Sequence, residues 1–315
     1  MNKKAVVFTL LSLSLAALLL LVYGWTYEKG WEEAYDAEAL RVQALGSLIL
    51  DIEDFILLTL QTGTKSTLAA MTRHVESEGY LSPSTPEEAF QDCFLHAEID
   101  GVACVHEQNT TMQHWMDLLV NQTNKSTGAL LQYTIHNVTI RQEYPFLVDV
   151  IANITITLQD PAASWTFTKE YPVTVSIQGR TDPALQHVFG VRRAIAEKTP
   201  PPGGTWSYTQ LQEMYAEGSY RERLNKSPSY LGRFAGNFSP SYCCGIETVL
   251  PSTLPISDKP SRSFTDHQIY TDAYYACGDQ VYAITGFSDP DFQLDREHLV
   301  SFGVIPSLWS NSTCP

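Results

Sequence analysis

Asp266-His267 and the run Asp295-Arg296-Glu297-His298 are the residues of this chain best suited to acid–base or metal chemistry. A histidine titrates near neutrality, and its two nitrogens can couple a proton acceptor to an orienting carboxylate. Joined in space, these groups would form a site. Read locally they say something simpler: adjacent residues point apart in a strand, and Asp295 stands before His298 at the spacing of a helix N-cap over its first turn. Capping and surface roles are the expectation, and no catalytic, cofactor-binding or metal-binding residue is assigned.

The remaining histidines, His74, His96, His106, His114, His136 and His187, show no H-E-x-x-H pattern or repeated ligand spacing. No G-x-S-x-G elbow or P-loop occurs, and Gly203-Gly204 follows prolines rather than joining a strand to a phosphate-binding helix. No cofactor is implied. Tyr215, Tyr220, Tyr230, Tyr242, Tyr270, Tyr274, Tyr275 and Tyr282 could present a recognition face, but a compact tyrosine-rich core around disulfides is the simpler expectation.

The 6 cysteines are Cys93, Cys104, Cys243, Cys244, Cys277 and Cys314. An even set suits an oxidising exterior. Short separation favours Cys93–Cys104 as a local staple; Cys243 and Cys244 would then reach Cys277 and Cys314 and pin the C-terminal region. A zinc site would need a C-x-x-C pair or a nearby histidine group, and neither is present. N-x-S/T triplets start at Asn109, Asn121, Asn124, Asn137, Asn153, Asn225, Asn237 and Asn311, making each a candidate for covalent N-glycans. Pro228 makes Asn225 a poorer acceptor, and Asn137 and Asn153 require the solvent face of a strand. A formal charge of −15, from 20 basic and 35 acidic residues, argues against a nucleic-acid partner.

The elements that must carry these residues begin with Lys3 and Lys4 and an apolar run from Ala5 to Val22. Such a run can cross most of a hydrocarbon layer about 30 Å thick as a helix. Tyr23, Trp25 and Tyr27 suit its interface, and the lysine bias puts the N-terminus in the cytoplasm and the rest of the chain outside. A cleaved signal would have a shorter apolar region and a small-x-small site, absent between Val22 and Lys29. Processing inside the lysine region, as in prepilins, is the other alternative.

From Thr26 to Thr59, Leu40, Leu45, Leu48, Ile52, Phe55 and Ile56 recur at helical spacing, giving an amphipathic stalk whose stripe must meet the exterior domain, a second copy or another surface protein. A turn at Thr62-Gly63-Thr64 separates it from a second helix over Lys65 to Glu76. Thr85 caps a helix beginning at Pro86, and a helix over Thr111 to Asn121 should bury Trp115, Leu118 and Leu119. Strands are expected over Leu131 to Ile140, Phe146 to Leu158 and Trp165 to Ile177, with Pro172 marking an edge or bulge. Pro183 to Ala196 then reads as a helix, and Trp206 to Tyr215 as a shorter one.

The fold class expected is α+β: a long N-terminal membrane and stalk helix, an antiparallel-sheet ectodomain, and a disulfide-stabilised C-terminal region. Residues 1–24 form the cytoplasmic tip and transmembrane helix, 25–78 the stalk, 79–198 the α+β ectodomain, 199–228 a proline-rich linker with a short helix, and 229–315 the cysteine- and tyrosine-rich C-terminal region.

Several segments together resemble a group of archaeal membrane-anchored cell-surface proteins. They are Asn2-Lys3-Lys4-Ala5 with Phe8-Thr9-Leu10, Asp51-Ile52-Glu53-Asp54, Val175-Ser176-Ile177-Gln178-Gly179 with Asp182-Pro183, Ser229-Tyr230-Leu231-Gly232-Arg233-Phe234, and Gly245-Ile246-Glu247. The N-terminus is also similar to that of archaeal pilins, although processing after Lys4 would put Thr9 where many bacterial-type pilins have an early glutamate. This resemblance implies an archaeal cell-surface protein, and the concurrence of anchor, exterior cysteines and sequons points to a non-enzymatic structural or adhesive surface glycoprotein. A pilin-like filament subunit is the second expectation, and a surface hydrolase using the His/carboxylate residues the third.

Overall fold

The computed structural model describes residues 3–104, 111–201, 203–271 and 281–311, with side chains placed from residue 37 to residue 310 of that set. Helix α1 (Lys3–Glu78) leads into α2 (Pro86–His96), the short strands β1 (Glu98–Ile99) and β2 (Val102–Ala103), and α3 (Met112–Thr127). Three long strands follow, β3 (Leu130–Tyr144), β4 (Leu147–Gln159) and β5 (Ser164–Ser176). Beyond them come α4 (Pro183–Phe189), α5 (Tyr208–Glu217), β6 (Tyr220–Glu222), α6 (Tyr230–Phe234) and β7 (Ile246–Thr248). The last described elements are α7 (Asp266–Tyr270), β8 (Val281–Ile284), β9 (Gln293–Asp295), α8 (Arg296–Ser301) and β10 (Trp309–Asn311). The fold is mixed α+β with antiparallel sheets.

Leu45, Ile52, Ile56, Leu60, Leu68, Met71 and Val75 place one face of α1 in the larger core. That core also takes the inward residues of the three-stranded sheet, whose order is β3-β4-β5. On the central strand Val148, Val150, Ala152, Ile154, Ile156 and Leu158 are all buried, the period-2 pattern of a sheet with one face on a core. The weaker alternation of β3 has a local cause. Its register shifts between Ile135 and Asn137, so the buried set passes from Leu131 to Val138 and Ile140. Pro172 lies on edge strand β5 opposite Ile151.

No turn forms at Gly63, where α1 continues unbroken. A Cβ at Gly63 would stand 2.7 Å from Phe94 Cε2, so the glycine lets α2 close onto α1 rather than ending the helix. Glycine inside a helix costs about 1 kcal/mol relative to alanine, a loss the packing of Phe94 offsets. Thr85 caps α2 with Glu88 completing a capping box, as the sequence indicates. Two other helices differ from expectation. Helix α3 buries Met112 and Met116 while Leu118 is exposed, so its inward face is rotated from Trp115. Helix α4 stops at Phe189 because Gly190 takes a left-handed C-cap, and Ala194 instead bridges to Thr181.

Cys93 and Cys104 form the expected disulfide, with Cα atoms 5.9 Å apart, fastening the β1–β2 hairpin to α2. Cys243 is joined to its neighbour Cys244, unlike the pairing with Cys277 and Cys314 that the sequence suggests; those two lie outside the described residues. A second core of Leu185, Leu211, Met214, Phe264, Phe292, Leu294, Leu299 and Phe302 fills the C-terminal half.

Candidate functional site

The His/carboxylate residues do come together, around a glutamate and three arginines. Strands β6 and β7 pair so that Arg221 stands directly opposite Glu247, placing both side chains on one face. Strand β9 ends at Asp295, which caps α8 by accepting from the His298 backbone N–H and so sets the histidine one turn above it. An isolated bridge between Val249 and Thr265 brings the start of α7, with Asp266 and His267, against the same point.

Glu247 is the hub. Its Oε1 accepts from Arg221 Nε at 2.9 Å and Nη2 at 2.6 Å. Its Oε2 accepts from Ser227 Oγ at 3.1 Å, meets His298 Nε2 at 3.0 Å, and lies 3.3 Å from Arg223 Nε. The other His298 nitrogen, Nδ1, bonds Asp295 Oδ2, which also accepts from Ser263 Oγ at 2.7 Å. Burial would raise the Glu247 carboxyl, but Arg221 and His298 outweigh it and hold the group well below the usual carboxylate range. Burial likewise opposes charge on His298, and the facing Glu247 and Asp295 overcome it, pushing its pKa up to about 9. Asp295 is lowered by His298 against the effect of burial. Burial pulls Arg221 down, yet a guanidinium titrates so far above neutrality that the pair stays ionic.

A second group abuts the first. Arg233, fully buried, places Nη1 2.7 Å from both Asp182 Oδ2 and Asp266 Oδ2 and donates Nη2 to the Ile246 carbonyl at 2.6 Å. Tyr220 donates its hydroxyl to Asp182 Oδ2 at 2.9 Å. Asp182 Oδ1 meanwhile caps α4 through the Ala184 and Leu185 N–H groups. Burial, then the Asp182 charge, pushes the Tyr220 and Tyr270 hydroxyls well above their ordinary range, so both remain neutral. His267 links the groups, its Nδ1 lying 3.7 Å from both Glu247 Oε2 and Asp266 Oδ1.

Glu247, His267 and His298 hold one donor atom each within 4.8 Å of one another, the one such group among the described residues. A metal would need lone pairs there. His298 faces a carboxylate oxygen at each nitrogen, an arrangement that requires two N–H donors and leaves no lone pair. Both Glu247 oxygens are already engaged by cations and a hydroxyl. Around this hub Arg221, Arg223, Lys226 and His298 face Glu247, Asp295 and Glu297, four cations to three carboxylates. The arrangement fits an ionic tie between chain segments, with neither Glu247 nor His298 left as a metal ligand or an unengaged base.

Asp266, His267, Asp295 and His298 are thus gathered as a set, while Glu297 is on the exposed rim, paired with Arg223 at 2.7 Å. Sequence reasoning did not assign Asp182, Arg221, Arg233 or Glu247 to the cluster. For Arg233 and Glu247 the signal is a lone charge in apolar surroundings, as in Ile246-Glu247-Thr248-Val249-Leu250, whereas Arg221 opens the charged run Arg221-Glu222-Arg223; Asp182, Arg233 and Glu247 lie in segments that carry the resemblance. Among the tyrosines, Tyr220 and Tyr230 pack inside, Tyr270 is half-buried against the second core, Tyr242 is 86% exposed, and Tyr274 and Tyr275 are outside the described residues. Of the sequon asparagines, Asn121, Asn137, Asn225 and Asn237 are exposed, and Asn124 and Asn153 are half-buried. Asn137 and Asn153 are cross-strand partners. Asn109 and the side chain of Asn311 lie outside the described set. Comparison with protein-family profiles, curated proteins and solved structures finds no match. Fold and site define an α+β protein whose most developed polar centre is a buried ion network.

Proposed function

We propose that this chain is a membrane-anchored cell-surface protein with a structural or adhesive, non-enzymatic role, its N-terminus cytoplasmic and its globular part outside and N-glycosylated. One observation carries the reading: the helix that contains the apolar run Ala5–Val22 is the same helix whose Leu45–Val75 face lies in the globular core. Anchor and core are then one element, and force on the globular part passes to the bilayer without a flexible joint. Among the described residues no helix is long and apolar enough to cross a membrane, and the side chains of Ala5–Val22 are outside that set. The anchor rests on the apolar sequence itself. The ion network fits the non-enzymatic part in one respect: both nitrogens of His298 and both oxygens of Glu247 are engaged within the protein. Cell fractionation with protease protection tests the topology: the C-terminal region should be digested in intact cells, and its protection would reject the proposal.

A second reading, a pilin-like filament subunit, is favoured by one feature. Leu40, Val42, Leu50 and Leu58 stay exposed on α1, apolar surface that a neighbouring helix would cover. N-terminal sequencing and electron microscopy separate the two. Cleavage near Lys4 together with ordered filaments selects the subunit, and a full-length membrane monomer rejects it.

A further inference from the structure

The cleft between α1 and the turn after β5 runs against the charge of the rest of the chain. It has a volume of about 210 Å³ and is lined on one side by Thr72, Arg73 and Glu76 of α1, and on the other by Arg180, Gln186 and Arg192. Three guanidinium groups face one carboxylate, in a protein whose formal charge is −15. A concave site of sign opposite to its surroundings focuses the field on a small anion and raises its local concentration.

The groups are also held in place. Glu76 takes Arg192 Nη2 at 3.1 Å on both oxygens and Gln186 Nε2 at 2.9 Å, which orients Arg192 over the cleft mouth. Arg180 is tethered by Nη1 to the Lys65 carbonyl at 3.2 Å. Its Nε and the Oε1 of Gln186 are enclosed at the cleft wall without a hydrogen-bond partner. The wall therefore offers guanidinium forks, which match planar oxyanions, beside one unspent acceptor, which a hydroxyl can satisfy. A space of this size is below that of most drug-sized sites and takes a single small ring.

We propose that this cleft binds a small hydroxylated carboxylate of the sugar-acid class, its carboxylate on Arg180 and Arg192 and a hydroxyl donating to Gln186. Equilibrium dialysis of the full chain in detergent against glucuronate, with glucose and sulfate as controls, tests it. Glucuronate should bind saturably and glucose should not. Arg180→Gln should weaken glucuronate about 10- to 100-fold, the range for losing one charge-assisted contact. Arg192→Gln is a second probe that leaves the fold alone, because that side chain is 71% exposed, and it should weaken binding in the same direction. Absence of saturable glucuronate binding, or an affinity in both variants equal to that of the unsubstituted chain, overturns the proposal. Sulfate binding as tightly as glucuronate overturns the assignment of a hydroxylated ligand.

Discussion

The two halves of this molecule are held together by different physics. Under the three-stranded sheet, α1, α2, β3, β4 and β5 meet through buried apolar side chains such as Ile56, Leu60, Phe90, Phe94, Ile154 and Ile156, while the ion pair between α1 and β5, Glu53 with Lys169, lies at the solvent-exposed edge of that contact. In the C-terminal half the regular elements, α5 apart, are a few residues long, and the seam between the two apolar cores is ionic. Tyr220, Phe234 and Ile246 belong to the first core, and Val249, Phe264, Leu294 and Leu299 to the second. Arg221, Arg233, Glu247, Asp295 and His298 lie next to these residues in sequence, Asp266 two places from Phe264, and together they join them across the seam. Apolar packing tolerates near misses in geometry. A buried ion network tolerates none, because any member left without its partner is a charge in a medium that solvates it poorly.

The contrast predicts where the molecule is most easily broken. Arg233→Met should have the largest effect, about 3–5 kcal/mol, because it leaves Asp182 and Asp266 buried and unpaired. Urea unfolding measures the loss, and adding Asp182→Asn and Asp266→Asn to the same chain should recover much of it. Failure of that recovery would show that Arg233 acts through packing rather than charge. On the sheet side Ile154→Ala should lose about 2–5 kcal/mol through the cavity it leaves. That loss should be the same at pH 6 and pH 9, since no ionisable group takes part. A loss at Ile154 that followed pH would erase the distinction between the halves.

The pH dependence should reside in the seam. His298 is raised from 6.5 to about 9, so its contribution is complete below its ordinary value and is lost as pH rises toward and through 9. Glu247 and Asp295 are lowered from 4.5 and 3.8, so theirs is complete above those values and is lost as pH falls. Stability should be flat between about pH 4.5 and 6.5 and decline on both sides, by something on the order of 1–3 kcal/mol on the alkaline side. His298→Gln should remove the alkaline decline while lowering the plateau. Unfolding curves for the two proteins from pH 6 to pH 10 check this, and parallel declines would show that another group titrates.

The same contrast explains what the sequence disclosed. Strand β4 was legible because its burial follows period 2 along a continuous segment, and β5 because Pro172 marks an edge. Gly63 misled because a glycine between threonines has the composition of a turn, and only the approach of Phe94, distant in sequence, shows why it sits within a helix. Trp115 misled because the inward face of a short helix is chosen by what it meets, here with Met112 and Met116. The ion network was legible in fragments: Asp295 as a cap was visible, and its bond to His298 follows from that turn. Glu247 and Arg221 were not, because their pairing depends on the register of two three-residue strands that no local pattern specifies.

The smallest expected effect separates the halves most cleanly, because it concerns the same local device in both. Thr85 caps α2 on the surface, with its hydroxyl accepting from the Glu88 N–H and nothing else. Thr85→Ala should therefore lose about 1 kcal/mol, the ordinary value of a cap, and Thr85→Ser almost nothing. Asp295 caps α8 by the same geometry, but its other oxygen holds His298 and Ser263. Asp295→Ser keeps a capping hydroxyl and removes the charge, so its loss should exceed that of Thr85→Ala and should shrink as pH rises past 9 and His298 becomes neutral. Equal, pH-independent losses at the two caps would mean that the seam is held by its apolar neighbours and that the charges merely accompany them.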